Sequence, residues 1–339
     1  MNIILDTNIF RQDLTLCSNH ISILLSYLKK TNSQLIIPDV ILEELKHIYI
    51  QILDEQILAY NKSIRTLQKL SISKKPIELI YSDKEKQKEL KNYIKFVFKR
   101  LNIKTKNIIK YKNSYLPEIV RRAINKIKPF NINERGFRDT IIWLTLKEYC
   151  LTCVGKHLIF ISNNVKDFGT PDGKLDHELV LECEKDGIKI YYYTDIIEFN
   201  KQHGIKLDFI TKDWLSTQIN KSVFLENISY SLENNLEKTF INYYEQETKK
   251  KFFGFIRIYR CLHLNIKDYF INEIDNSNYV ITITTLATME IDFLNEIEGN
   301  KFRTNSEVDH EDTRNYNAEI VISIKINSDK KILNTDFHC

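Results

Sequence analysis

The sequence predicts an α/β fold over about residues 1–207 and an α+β region over 208–339. Three observations carry this. Short β-branched runs alternate with segments of helical spacing through the first 200 or so residues, as in a parallel sheet covered by helices. Beyond that, helical composition gives way to long alternating runs, as in antiparallel strands. Finally, an aspartate, Asp6, stands directly after the apolar run Ile3-Ile4-Leu5, and the C-terminal edge of a buried parallel strand is where open α/β sheets bind ligands.

The elements follow in order. Ile3-Ile4-Leu5 reads as a first buried strand, and 22–30 as a helix with Ile23, Leu24, Tyr27 and Leu28 on its apolar side. Leu35-Ile36-Ile37 reads as a second strand, with Pro38 favouring the first turn of a new helix through Val40–Leu45. Residues 50–128 are rich in Lys, Leu, Ile, Glu and Gln. They predict two or three long helices, a basic insert over about 54–128 on the α/β core. A largely buried helix follows Gly136-Phe137-Arg138-Asp139, and a strand over 157–162 ends in Asn163-Asn164-Val165-Lys166-Asp167. A helix over 175–185 and a strand over 188–193 complete this region, with its end near Leu207. Residues 208–250 look helical; 252–265, 279–293 and 318–326 read as strands, and the charged stretch 295–317 as a long hairpin loop.

Bulk properties narrow the function. No apolar run approaches the ~18 residues of a membrane span, and the N-terminus lacks a basic-then-apolar leader, so a cytoplasmic protein without membrane contact is expected. Six cysteines without a secretion signal should stay reduced. Cys150 and Cys153 form a CxxC with no second pair at zinc-finger spacing, and read as packed thiols. The net charge is only +4, but residues 84–128 hold 15 Lys and Arg against 3 Asp and Glu. Such a segment is what a nucleic-acid backbone requires, although a Lys-rich helix face can also be merely solvated. Tyr93, Phe96, Phe98, Tyr111 and Tyr115 are interleaved with it, either to stack on bases or to pack the core. Residues 208–339 carry 15 basic and 21 acidic side chains. That balance argues against a second nucleic-acid surface and leaves a homo-oligomer contact or a regulatory partner as the expectation there.

Asp6, Glu44 and Asp139 occupy comparable places: after the first strand, early in the helix after the second, and at the start of the helix before the next. Asn163-Asn164 and Asp167 follow that next strand. If the strands are parallel and adjacent, these groups meet at one sheet edge. Several carboxylates cannot share a small site in ionised form without a counter-charge, which Mg²⁺ or Mn²⁺ supplies through oxygen ligands. Taken singly, Asp6 reads equally well as a turn or helix cap, Glu44 as a solvated helix residue and Asp139 as a first-turn complement to the helix dipole. Asn8 is expected to orient Asp6, and Arg138 and Lys166 to hold a phosphate or stand as plain surface charges.

The runs LDTNIF, VILEEL, GFRDTIIW and FISNNVKDFG together resemble the PIN-domain nucleases, in particular a bacterial PIN-like branch with a long helical insert and a C-terminal α+β extension. The resemblance covers about residues 1–200. It implies a three-layer α/β/α fold and Mg²⁺- or Mn²⁺-dependent cleavage of RNA, less often of DNA. It also fits a toxin or phage-defence role. Carried over by position, Asp6, Glu44 and Asp139 match the family's core acids, and Glu44 is preferred to Glu43 because it directly precedes Leu45. The fourth acid's place holds Asn163-Asn164, with Asp167 three residues on. Asn164 or Asp167 is therefore expected to complete a weaker or single-metal site. The alternative is a catalytically weakened PIN-fold module that binds nucleic acid or a partner protein. A phosphatase is disfavoured, because Asn8 stands where an Asp-x-Asp motif needs its second acid.

Overall fold

The computed structural model describes residues 1–70, 76–130, 136–203, 210–252, 254–295 and 309–338. The chain divides into two compact units, 1–202 and 203–339. The expected boundary near Leu207 lies outside the described residues.

The first unit is built on a five-stranded sheet of order β3-β2-β1-β4-β5, parallel throughout. Its strands are β1 (Asn2–Leu5), β2 (Gln34–Pro38), β3 (Ile108–Ile109), β4 (His157–Ile161) and β5 (Lys189–Tyr193). Ile3, Ile4 and Leu5 are buried, as are Leu158 to Ile161. Continuous apolar runs are what a sheet covered on both faces demands. The helices are α1 (Thr7–Gln12), α2 (Asn19–Thr31), α3 (Asp39–Leu70), α4 (Asp83–Arg100), α5 (Leu116–Asn125), α6 (Phe137–Thr152), α7 (Val165–Phe168), α8 (His177–Lys185) and α9 (Ile196–Gln202). This is the expected α/β/α architecture.

The segment expected as a basic insert is largely helical, as its composition predicts: α3 runs 32 residues from Asp39 without a break, and α4 and α5 follow. Between α4 and α5, Ile108 and Ile109 pair with Ile37 and Pro38 as an edge strand of the core sheet, which the sequence did not announce. Two residues are too few to show any periodicity.

The strand order places the topological switch between β1 and β4. From β1 the sheet grows through β2 and β3 on one side, and the chain then returns to add β4 and β5 on the other. Parallel strands send all their C-terminal ends to one edge, and the crevice at the switch is the natural ligand site.

In the second unit, α10 (Lys212–Ile219) and α11 (Ser222–Thr248) accompany the antiparallel meander β6 (Gly254–Asp275), β7 (Asn278–Asn295), β8 (Asp309–Asn327) and β9 (Ile332–His338). Ile228, Leu232, Leu236, Phe240 and Tyr244 recur every fourth residue on α11 and are all buried, in one core with the strand residues Ile281, Ile283, Met289 and Ile322. The expected loop over 295–317 falls partly outside the described residues. Its described end, from Asp309, is strand, paired with β7. Its charges misled because they have partners: Arg314 meets Asp312 and Glu247, and Thr313 donates to Asp292.

Candidate active site

A cavity of about 440 Å³ is lined by Asp6, Glu44, Asp139, Asn164 and Asp167, together with Thr7, Asn8, Arg11, Ile48 and the segment Gly136-Phe137-Arg138. The four carboxylates come from four different elements. Asp6 follows β1, where its backbone N–H extends the ladder to Ile161 O at 2.9 Å. It also caps α1, accepting from Thr7 N at 2.7 Å. Capping and site placement thus coincide in one residue. Its other oxygen accepts from Ser162 Oγ at 2.5 Å.

Glu44 sits in the second turn of α3, accepting from Thr7 Oγ1 at 2.9 Å and ion-paired with Arg138. Asp139 lies in the first turn of α6, whose start depends on Gly136. That glycine has φ +128°, and a Cβ on it would stand 2.7 Å from Pro129 O and 2.9 Å from Phe130 Cα. Asp167 is carried by α7 just past β4, and Asn164 by the N-cap of the same helix.

The electrostatics are those of a site short of positive charge. Burial pushes Asp6 up to about 7 against the lowering by its hydrogen bonds from Ser162 and Thr7, with the charges of Asp139 and Glu44 adding to the rise. Burial likewise lifts Asp139 to about 6, helped by the charge of Asp167. The protein offsets the remaining charge with its own donors. Arg138 faces Glu44, and the Asn164 amide nitrogen donates to Asp139 at 3.0 Å and to Asp167 at 2.8 Å. In this arrangement Asn164 presents nitrogen rather than oxygen to the acids. Among the described residues no three His, Cys, Asp or Glu side chains form a ready metal cage.

The donor set nonetheless fits a hard divalent cation. The lining offers carboxylate and amide oxygens and neither His nor Cys, which suits Mg²⁺ or Mn²⁺ over zinc. The Asn8 Oδ1 atom is buried and has no hydrogen-bond partner among the described residues, an acceptor left open. Asp6, Glu44, Asp139 and Asp167 could hold such an ion once Asn164 and Arg138 yield.

The other expected site residues divide. Asn8 and Arg138 line the cavity, but Asp6 is oriented by Thr7 and Ser162. Lys166 is exposed and outside the lining, and its carbonyl accepts from Lys128 Nζ. Sequence reasoning missed Thr7, Arg11 and Ser162. Ser162 had a signal, since it directly follows β4 as Asp6 directly follows β1. Arg11 stands one turn beyond Asn8 on the same helix face.

The family model for the PIN domain matches residues 3–168. Residues 3–168 form a PIN domain. PIN domains are generally nucleases and typically use divalent metals. Among solved structures, the chain is similar to VapBC2 from Rickettsia felis bound to a DNA fragment from their promoter, at 15% identity over 57% of this chain and 99% of that one, with a TM-score of 0.30. The strand order described above, and not that overlap, defines the fold. No curated protein matches the chain. Among the described residues no helix is long and apolar enough to cross a membrane.

Proposed function

We propose that this PIN domain is a Mg²⁺- or Mn²⁺-dependent cytoplasmic nuclease that hydrolyses phosphodiester bonds, acting as an endoribonuclease on RNA in preference to DNA. The observation that carries the reading is the convergence of four carboxylates at the switch point of a parallel sheet, with Asp6 and Asp139 held far above their ordinary range. Asp6, Glu44, Asp139 and Asp167 hold the cation. Bound there, it offsets their charge, lowers the pKa of water and stabilises a developing oxyanion. Thr7 and Ser162 fix the Asp6 carboxylate, and Thr7 also fixes Glu44. No Ser, Cys or His nucleophile is required.

Helix α4 supports a nucleic-acid substrate. Lys84, Lys88, Lys91, Lys95 and Lys99 are exposed and fall within roughly 80° of arc at 3.6 residues per turn. The opposite side buries Tyr93 and Val97. Some other cations of segment 84–128 are engaged within the protein: Arg122 is buried, and Lys86, Lys112 and Arg121 are ion-paired. Its aromatics divide too. Tyr93 stacks on Tyr49 at 4.1 Å, whereas Phe96 and Tyr111 are exposed. Residues 203–339 remain a place for a second copy or a regulatory partner.

The test is cleavage of labelled single-stranded RNA, double-stranded RNA and DNA with Mn²⁺, Mg²⁺ or EDTA. Metal-dependent cutting of RNA, lost by about 10³-fold or more in Asp6→Asn/Asp139→Asn (about 4 kcal/mol of barrier), is expected. Full cutting by that variant would sink the proposal.

A second reading, a weakened module that binds without cutting, is favoured by one observation: Asn164 and Arg138 already occupy the acids. Calorimetric titration with Mn²⁺ separates the two, since heat of binding that vanishes in the double variant belongs to the nuclease.

A further inference from the structure

We infer that Arg11 holds a substrate phosphate at the cavity rim. This rests on the nuclease reading and names the cation that meets the substrate in it. Two guanidinium groups line the cavity, Arg11 from α1 and Arg138 from α6. Arg138 is committed to Glu44. Arg11 is exposed and, among the described residues, makes no hydrogen bond or ion pair, although four carboxylates line the same cavity. Lys166, the other cation the sequence offers near the acids, is outside the lining.

An arginine facing an acidic cavity without pairing to it is positioned for an anion from outside. Its planar fork matches a phosphodiester's two free oxygens. On α1 it is also fixed relative to Asp6, because the Asp6 carboxylate caps that helix. A phosphate held by Arg11 therefore stays in register with the carboxylate that ends β1. As the only basic residue in the last turn of so short a helix, Arg11 also complements the helix dipole. That role alone would leave RNA affinity unchanged on its removal.

The experiment measures fluorescence anisotropy of a labelled single-stranded RNA in EDTA. It uses the full chain in the Asp6→Asn/Asp139→Asn background, so that cleavage does not intervene. Adding Arg11→Ala should weaken binding about tenfold and lower the slope of log affinity against log salt by roughly 0.7, the value for one phosphate contact on a single strand. Arg11→Lys should restore the slope but only part of the affinity. Lys185→Ala, an exposed cation at the end of α8, should change neither. Unaltered binding by Arg11→Ala, an equal loss in Lys185→Ala, or no RNA binding by the parent would each overturn the inference. Because the readout is binding, an Arg11-dependent loss here beside a wild-type chain that fails to cut RNA with Mn²⁺ or Mg²⁺ would refute the nuclease reading and leave the phosphate contact standing.

Discussion

Two charged clusters in the first unit show how differently one chain treats its acids. The first joins α5, α6 and α8. Arg122 is only 2% exposed there, donating to Glu182 at 2.6 Å and to Glu118 at 2.7 Å. Trp143 Nε1 and Lys147 Nζ also donate to Glu182, at 3.0 and 3.2 Å. Burial by itself would raise Glu182, but these hydrogen bonds and charges outweigh it and hold the group below its ordinary value. Glu118, bonded first by Arg121 and then by Arg122, falls to about 2. The second cluster is the cavity, where burial outweighs every donor and Asp6 and Asp139 rise to about 7 and 6. The first cluster is complete within the protein; the second is left short of positive charge. An unmet need for charge is what distinguishes a site from a strut.

The largest expected effect breaks the strut. Arg122→Ala leaves Glu182 and Glu118 without their shared partner and should cost about 3–5 kcal/mol, as removal of one member of a buried pair does. The urea midpoint reads this, and a loss below about 1 kcal/mol would mean that the cluster is not a strut.

The next effect reverses the sign. The folded-state values for Asp6 and Asp139 lie above unfolded ones near 4, so each acid lowers the stability of the metal-free protein as pH rises from about 4 to about 7. Asp6→Asn removes the larger contribution. In EDTA the variant should become more stable than the parent by on the order of 2 kcal/mol at pH 7, with little difference at pH 4. A gap that stays constant across this range would contradict the charge deficit. Glu118 acts oppositely, since its contribution is present above about 4.3 and lost as pH falls toward 2.

The smallest effect concerns the backbone that supports the cavity. Gly136→Ala meets both a positive φ and a 2.7 Å approach to Pro129 O, and should cost about 1–3 kcal/mol. Because Gly136 starts the helix bearing Asp139, cleavage should fall by more than stability alone explains. Wild-type activity with a reduced melting temperature would show that Asp139 is placed independently of that turn.

Much of this was legible before the fold was known. The runs Ile3–Leu5, 35–37, 157–162 and 188–193 are apolar because a sheet covered on both faces requires it, and local pattern is enough to show that. Asp6, Glu44 and Asp139 were visible because each follows or opens such an element, so topology alone brings them to one edge. What stayed hidden depends on contacts distant in sequence. Strand β3 is two residues long and exists only because β2 offers it an edge. The charged start of β8 looked like a loop until its partners on α11 and β7 were in place.

The sequence by itself determined which elements form and which side chains stand at their ends, because helix and strand periods, caps and apolar runs are properties of neighbouring residues. Only the tertiary structure decided how those ends are used. It tied Arg138 to Glu44 across 94 positions of chain, set Ser162 against Asp6 across 156, turned the Asn164 amide nitrogen toward two acids, and left Arg11, among the described residues, unpaired beside them. Burial and pairing belong to the assembled fold, and they decide which carboxylates are completed by the protein and which are left to be completed by something else.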